Sequence, residues 1–207
     1  MMFPTPAHGS TTEFIMKLLH LDSSALGESS VTRELSAAVV ARWKDSLPSV
    51  KIEYRDLDAD PVPHLTGEVL AKTNATHTAE GDRLLAQFLA SDVLVIGAPM
   101  YNFGIPSTLK AWIDRISVAG KSFRYSETGP VGLAGGKRVI VASGRGSILG
   151  NGPADFQENY LRQVFLFLGI QEITFVRAEG VGYSPQHRAD ALAAAHASIP
   201  APLREAA

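Results

Sequence analysis

Cysteine is absent from this 207-residue chain, and that one absence removes several chemistries together. Disulfide frameworks, thiolate zinc centres, iron–sulfur clusters and cysteine nucleophiles all need a residue that is not there. A reducing cytoplasm suits such a composition. Neither sign of charge dominates: 19 Lys and Arg stand against 21 Asp and Glu. A net charge near −2 provides no basic surface to attract nucleic acid as a partner. Long apolar runs are missing too. Stretches such as Val93 to Pro99 fall far short of the ~20 residues a membrane-spanning helix needs, so no membrane association is expected. No Gly-x-Ser-x-Gly elbow occurs, which disfavours a serine hydrolase of the α/β type. The six histidines (His8, His20, His64, His77, His187 and His196) show no metal-ligand spacing, so no metal is expected. Asp and Glu are scattered over predicted helix faces without a paired arrangement. Acid–base chemistry therefore lacks an obvious agent in the protein itself.

What is present is an ordinary globular composition, 45% hydrophobic and 19% charged, at a length that suits one domain. Met1 to Phe14 has neither the long apolar core nor the basic start of a signal peptide and reads as a flexible leader. Met16 is a candidate start, and residues 15–207 are expected to form a single domain. Five strands are predicted: Met16 to Asp22, Lys51 to Leu57, Asp92 to Ala98, Arg138 to Ala142 and Ile173 to Ala178. Amphipathic helices follow from the three- and four-residue spacing of Val31, Leu35, Val39 and Trp43, and of Leu84, Leu85, Phe88 and Leu89. A third helix has Pro106 in its first turn, a fourth carries Tyr160 to Leu168, and Arg188 to Ile199 closes the chain. Asp58 to Thr78 lacks periodicity and reads as a long loop, while Gly120 to Leu133 suggests a small hairpin. The alternation predicts an α/β fold: a parallel sheet with helices on both faces. Ligands of such folds bind outside the carboxyl ends of the strands, where the strand order reverses.

Three strand-end loops deserve scrutiny on that ground. After strand one, Ser23, Ser24, Ser29, Ser30 and Thr32 place five hydroxyls where a helix begins. Helix N-termini carry unpaired N–H donors and a partial positive charge, so a phosphate fits there without a metal. Plain N-capping by Ser29 or Ser30 is the alternative. Gly120-Lys121-Ser122 is no phosphate loop, because the glycine required five positions earlier is Arg115. After strand three, Met100-Tyr101-Asn102-Phe103 lies between Pro99 and Gly104. Its side chains could wall a flat ring, and the Asn102 amide and the backbone could meet polar ring atoms. A buried aromatic turn is the structural alternative. After strand four, Ser143-Gly144-Arg145-Gly146-Ser147 lets backbone approach a flat ligand closely, or is simply a turn. It is not a dinucleotide fingerprint, since Leu149 stands where the third Gly or Ala is needed.

With these segments, and with Leu21-Asp22-Ser23-Ser24, Phe123-Arg124-Tyr125, Gly129-Pro130, Gly152-Pro153 and Ala178-Glu179-Gly180, the chain resembles the FMN-dependent NADH-azoreductase family, relatives of the quinone reductases. The likeness runs from about Met16 to Ile199. It implies a flavodoxin-like homodimer, its five-stranded sheet in the order 2-1-3-4-5, with one non-covalent FMN per subunit and NADH or NADPH as co-substrate. It further implies that Ser24, Ser30, Val31 and Thr32 hold the phosphate, that Met100, Tyr101, Asn102 and Phe103 line the isoalloxazine, and that Ser143, Gly144, Arg145, Gly146 and Ser147 meet its other edge. Tyr125 becomes a pocket wall, shared across the dimer. The implied reaction is ping-pong transfer of two electrons to quinones, with reductive cleavage of azo compounds to aromatic amines. No protein group is assigned as catalytic, because the flavin carries the chemistry. Two departures stand out. Members often carry Ser-x-Ser where this chain has Ser30-Val31-Thr32, which keeps both hydroxyls, and Ser-Arg-Gly-Gly where it has Gly144-Arg145-Gly146-Ser147. A flavodoxin-like electron carrier without NADH activity is the alternative function, and a nicotinamide-only dehydrogenase a second one.

Overall fold

The computed structural model describes residues 15–150 and 152–202; the leader expected over residues 1–14 lies outside them. Strand β1 (Lys17–Asp22) leads through a short turn into α1 (Val31–Ser46), and β2 (Lys51–Asp56) follows. Next come α2 (Gly67–Leu70), α3 (Ala75–Ala90), β3 (Val93–Pro99) and α4 (Ser107–Ile116). A hairpin of β4 (Phe123–Ser126) and β5 (Gly129–Gly132) precedes β6 (Arg138–Gly144), α5 (Phe156–Phe167), β7 (Glu172–Ala178) and α6 (Pro185–Ala197).

The main sheet runs β2-β1-β3-β6-β7 with every pairing parallel. This is the anticipated 2-1-3-4-5 order; only the numbering shifts, because the hairpin adds two strands in a separate sheet. Side chains alternate across β1. Leu19 and Leu21 join Phe88, Trp112, Leu161 and Phe165 on one face, whereas Leu18 joins Leu35, Val39, Trp43 and Ala195 on the other. The sheet is thus packed by helices on both sides. Central β3 is buried along its whole length, which explains why it reads as an unbroken apolar run. No helix among the described residues is long and apolar enough to cross a membrane.

Several boundaries differ from the sequence reading for identifiable reasons. The loop expected over Asp58 to Thr78 contains α2 and the first turn of α3. Thr66 and Asn74 cap these helices, accepting from the amides of Val69 and His77. The early α3 residues face solvent, so they carry no apolar period. Pro106 sits at the N-cap of α4 with extended backbone, one residue before the helix, and not in its first turn. Strand β6 is longer than Arg138 to Ala142: Ser143 and Gly144 stay in the sheet, opposite Arg177 and Ala178 of β7. The closing helix starts at Pro185 behind the Ser184 cap.

Candidate functional site

The strand order reverses between β1 and β3, and the segments leaving β1, β3 and β6 meet there. Ser23 is locked to β3, its hydroxyl donating to the Gly97 carbonyl at 2.7 Å. The chain then passes buried Ser24 and a 3₁₀ turn, Gly27–Ser29, before α1 begins. Ser30 caps α1 by accepting from the Arg33 amide, and its Oγ lies 3.1 Å from Thr32 Oγ1. The amides of Val31 and Thr32 have no acceptor among the described residues. Two hydroxyls and two free N–H groups at the positive end of a 16-residue helix make an anion cradle. Strand β6 comes close behind it: a Cβ on Gly144 would meet Thr32 Cγ2 at 2.9 Å.

Arg33, given no role by the sequence reading, holds this cradle in shape. Its guanidinium grips Asp56 through two hydrogen bonds of 2.6 and 2.7 Å and donates to the Ser24 carbonyl at 2.8 Å. The Arg33 hydrogen bond holds the Asp56 carboxyl below the usual carboxylate range and raises the guanidinium's own pKa further. Arg33 is therefore occupied and is not a free phosphate ligand. A depressed folded pKa contributes stability that is complete above about pH 5 and is lost as pH falls through the lowered value. Asp56→Asn is expected to cost about 1 kcal/mol at neutral pH. Denaturant titrations of wild type and variant should converge in acid; a gap that persists there would exclude this ion pair as its source.

The β3 segment forms a tight turn. Tyr101 and Gly104 exchange both backbone hydrogen bonds at 3.0 Å, with Asn102 and Phe103 between them at φ of 49° and 69°. Positive φ at both central residues is the geometry of a type I′ turn, in which Asn is well tolerated and Phe is not. The backbone strain at Phe103 persists although the residue is 57% exposed, so burial is not what holds it there. The amides of Asn102 and Phe103 have no acceptor among the described residues, and the Met100 amide is bonded to the Gly144 carbonyl at 2.8 Å. Tyr101 has a structural role besides the one expected of it. Its hydroxyl accepts from the Ala25 amide at 3.1 Å and lies 3.2 Å from Ser24 Oγ, tying the β3 turn to the β1 loop.

The β6 segment corrects the sequence reading in part. Ser143 Oγ is buried against Gln157 and Glu158, and Arg145 is 2% exposed, enclosed by Asp155, Glu158 and Glu179. Neither side chain reaches the mouth of the crevice, because both belong to the interior side of the strand exit. Gly144 faces α1, and only Gly146 and Ser147 open to solvent with amides lacking an acceptor among the described residues. The carboxylates that looked unpaired in sequence are drawn together here by the fold. Nothing in local spacing signals that cluster. Tyr125 is 75% exposed on the hairpin and lines a separate cavity of about 310 Å³ with Leu65, Val69, Arg115, Val118 and Phe123. Within one subunit it does not join the three strand-end segments.

Three strand-end segments that meet at the reversal point of a parallel five-stranded sheet, with free donors at the head of α1 and in the turn after β3, define a flavodoxin-like α/β protein. A family model described as "Flavodoxin-like fold" matches residues 16–201, and the chain belongs to that family. An FMN-dependent NADH:quinone oxidoreductase of Stenotrophomonas maltophilia (strain K279a) is 62% identical over 185 residues, covering 89% of this chain and 95% of the relative. A protein named FMN-dependent NADH:quinone oxidoreductase 1 from Xanthomonas euvesicatoria pv. vesicatoria (strain 85-10) is 65% identical over 184 residues, with the same coverage, 89% and 95%. Among solved structures, an FMN-dependent NADH-azoreductase from Bacillus anthracis str. Ames Ancestor in complex with FMN superposes with a TM-score of 0.81 at 29% identity. That match covers 89% of this chain and 96% of the other.

Proposed function

We propose that this chain is an FMN-dependent oxidoreductase that passes two electrons from NADH to quinones and cleaves azo compounds reductively to aromatic amines. The observation that carries this reading is the pairing of free amides and hydroxyls at the head of α1 with the I′ turn tied to it through Tyr101. The donor set fits a flavin mononucleotide: a dianionic phosphate at one end, and a ring with hydrogen-bonding edges at the other. The close relatives whose names specify FMN and NADH support the same assignment.

FMN, when bound, supplies the two-electron chemistry. Ser30 and Thr32 donate their hydroxyls, and Val31 and Thr32 their amides, to the phosphate, while Ser24 shapes the floor beneath it. Met100 to Phe103 border one side of the ring, with the free amides of the turn directed to its polar atoms. The backbone at Gly144, Gly146 and Ser147 closes the other edge. Fixed backbone dipoles of this kind stabilise developing negative charge without reorganising. One slot serves reductant and acceptor in turn, which gives ping-pong kinetics. NADPH as an alternative reductant, the cytoplasmic setting and a homodimer belong to the same proposal. For the dimer, the open groove of about 630 Å³ beside Gly104, Ile105, Phe156 and Tyr160 is the apolar face to be covered.

The purified protein should show a flavin spectrum that bleaches under NADH in the absence of oxygen and recovers on adding a quinone. Double-reciprocal plots at several quinone concentrations should be parallel. Bound FMN that NADH never reduces would instead favour the electron-carrier reading.

Asn102 offers a residue-level test. Asn102→Gly suits the left-handed backbone while removing the side chain and its amide, so FMN affinity should fall about tenfold with little loss of stability. Asn102→Ala should add about 1 kcal/mol of strain to the same loss. Unaltered affinity in both variants would remove Asn102 from the binding site.

A further inference from the structure

Ala178-Glu179-Gly180 has no part in the cofactor contacts described above, yet it stands directly behind the loop that leaves β6. Arg145 is at the centre of a buried ion cluster. Its Nη2 lies 2.6 Å from Glu158 Oε1 and 3.1 Å from Asp155 Oδ2, and Glu158 also accepts from Arg177 at 2.6 and 2.5 Å. The side chains of Asp155 and Glu158 are each 4% exposed and that of Arg145 1%, so these charges are held by one another and not by water. Glu179 differs from the other two carboxylates. Its nearest approach to Arg145 is 3.5 Å, and its hydrogen bonds go outward: Oε1 accepts from the amides of Leu149 and Gly150, both at 3.0 Å.

The same stretch holds the loop at further points. The Gly182 amide donates to the Gly146 carbonyl at 3.1 Å, Val181 to the Arg145 carbonyl at 3.3 Å, and Ile148 to the Tyr183 hydroxyl at 3.0 Å. Gly180, at φ +71°, lets this segment turn back beneath the loop; a Cβ there would meet Ile148 Cγ1 at 3.1 Å. The loop's first amides, those of Gly146 and Ser147, stay free of any acceptor among the described residues. An exposed, glycine-rich loop would not keep such a shape on its own, because its backbone entropy opposes a single conformation.

We propose that Glu179 is the positioning residue of the ring-side loop: oriented by the buried Arg145 guanidinium, its carboxylate pins the amides of Leu149 and Gly150 and so presents the free Gly146 and Ser147 amides to the flavin ring. This rests on the FMN reading given above. It predicts a ring-end effect, separable from the phosphate end by comparing FMN with riboflavin, which lacks the phosphate. The affinity of each for the apoprotein can be read from quenching of flavin fluorescence.

Glu179→Ala should weaken FMN and riboflavin by the same factor, about tenfold, as expected for losing two backbone hydrogen bonds to a charged acceptor. Glu179→Gln, which retains an acceptor oxygen, should stay within about threefold of wild type for both flavins. The absorption band of the remaining bound FMN should shift in the Ala variant, a readout that mere loss of stability would not move. Equal flavin affinities in wild type and Glu179→Ala, even with a lowered melting temperature, would overturn the proposal and leave the function intact. So would a loss confined to FMN. A wild-type protein that binds neither flavin would overturn the functional reading and this role with it.

Discussion

The double variant Ser30→Ala, Thr32→Ala is expected to bind FMN at least about 100-fold more weakly than wild type while its affinity for riboflavin stays the same. Hydrogen bonds to a charged group are worth about 1.5–3 kcal/mol each, and every 1.4 kcal/mol is tenfold in affinity. Both hydroxyls are buried at the head of α1, 3.1 Å apart, so water does not readily substitute for either. Ser30 has a second role, because its Oγ accepts from the Arg33 amide as the helix cap. Losing a cap costs about 1 kcal/mol of stability, so a modest drop in melting temperature accompanies the change. Equilibrium dialysis with the two flavins separates the effects: stability alone would weaken both ligands together. Parallel losses for FMN and riboflavin would mean that the phosphate is not held at α1.

Gly132→Ala is expected to be the most damaging single substitution for the fold. A Cβ at this position, the last residue of β5, would run into the backbone of Leu168 and Gly169 at the end of α5. Backbone cannot swing aside as a side chain can. Ala134 donates to the Leu168 carbonyl at 2.9 Å, and Leu168 and Ile170 are fully buried, so relief requires shifting the end of α5 within the core. Overpacking of this kind costs about 3 kcal/mol, or roughly 6–12 °C in melting temperature for a chain of this size. Gly67→Ala is the matched control, because its added methyl meets nothing within 4 Å. A Gly132→Ala protein that melts with wild type would show that the hairpin does not pack against α5 in this way.

The two ends of the site were legible in the chain to different degrees. The helix start at Ser30-Val31-Thr32 could be read directly, since capping chemistry and helix N-termini are properties of a few consecutive residues. Asn102 could be placed at a strand end for the same reason, although the left-handed turn that contains it and Phe103 could not. Arg33 escaped because its partner, Asp56, is on another strand. Ser143 and Arg145 were assigned to the pocket because a Gly-rich stretch looked like a loop. Instead, β6 pairing continues through Ser143 and Gly144, and the Arg145 side chain turns inward to Asp155, Glu158 and Glu179.

The strand order was implied by the family resemblance; from local patterns alone came the strand and helix alternation, the parallel sheet and the three segments at the strand ends. Each depends on hydrophobic period or turn chemistry within a short window, and such signals survive without knowing what lies opposite. Tertiary structure alone decided that the Tyr101 hydroxyl reaches Ser24, that Arg145 faces three carboxylates, and that Tyr125 stands apart from the three strand-end segments within one subunit. Those are distances between residues brought together only by the packing of the sheet. Charge pairing and steric fit act through space, so no local pattern encodes them.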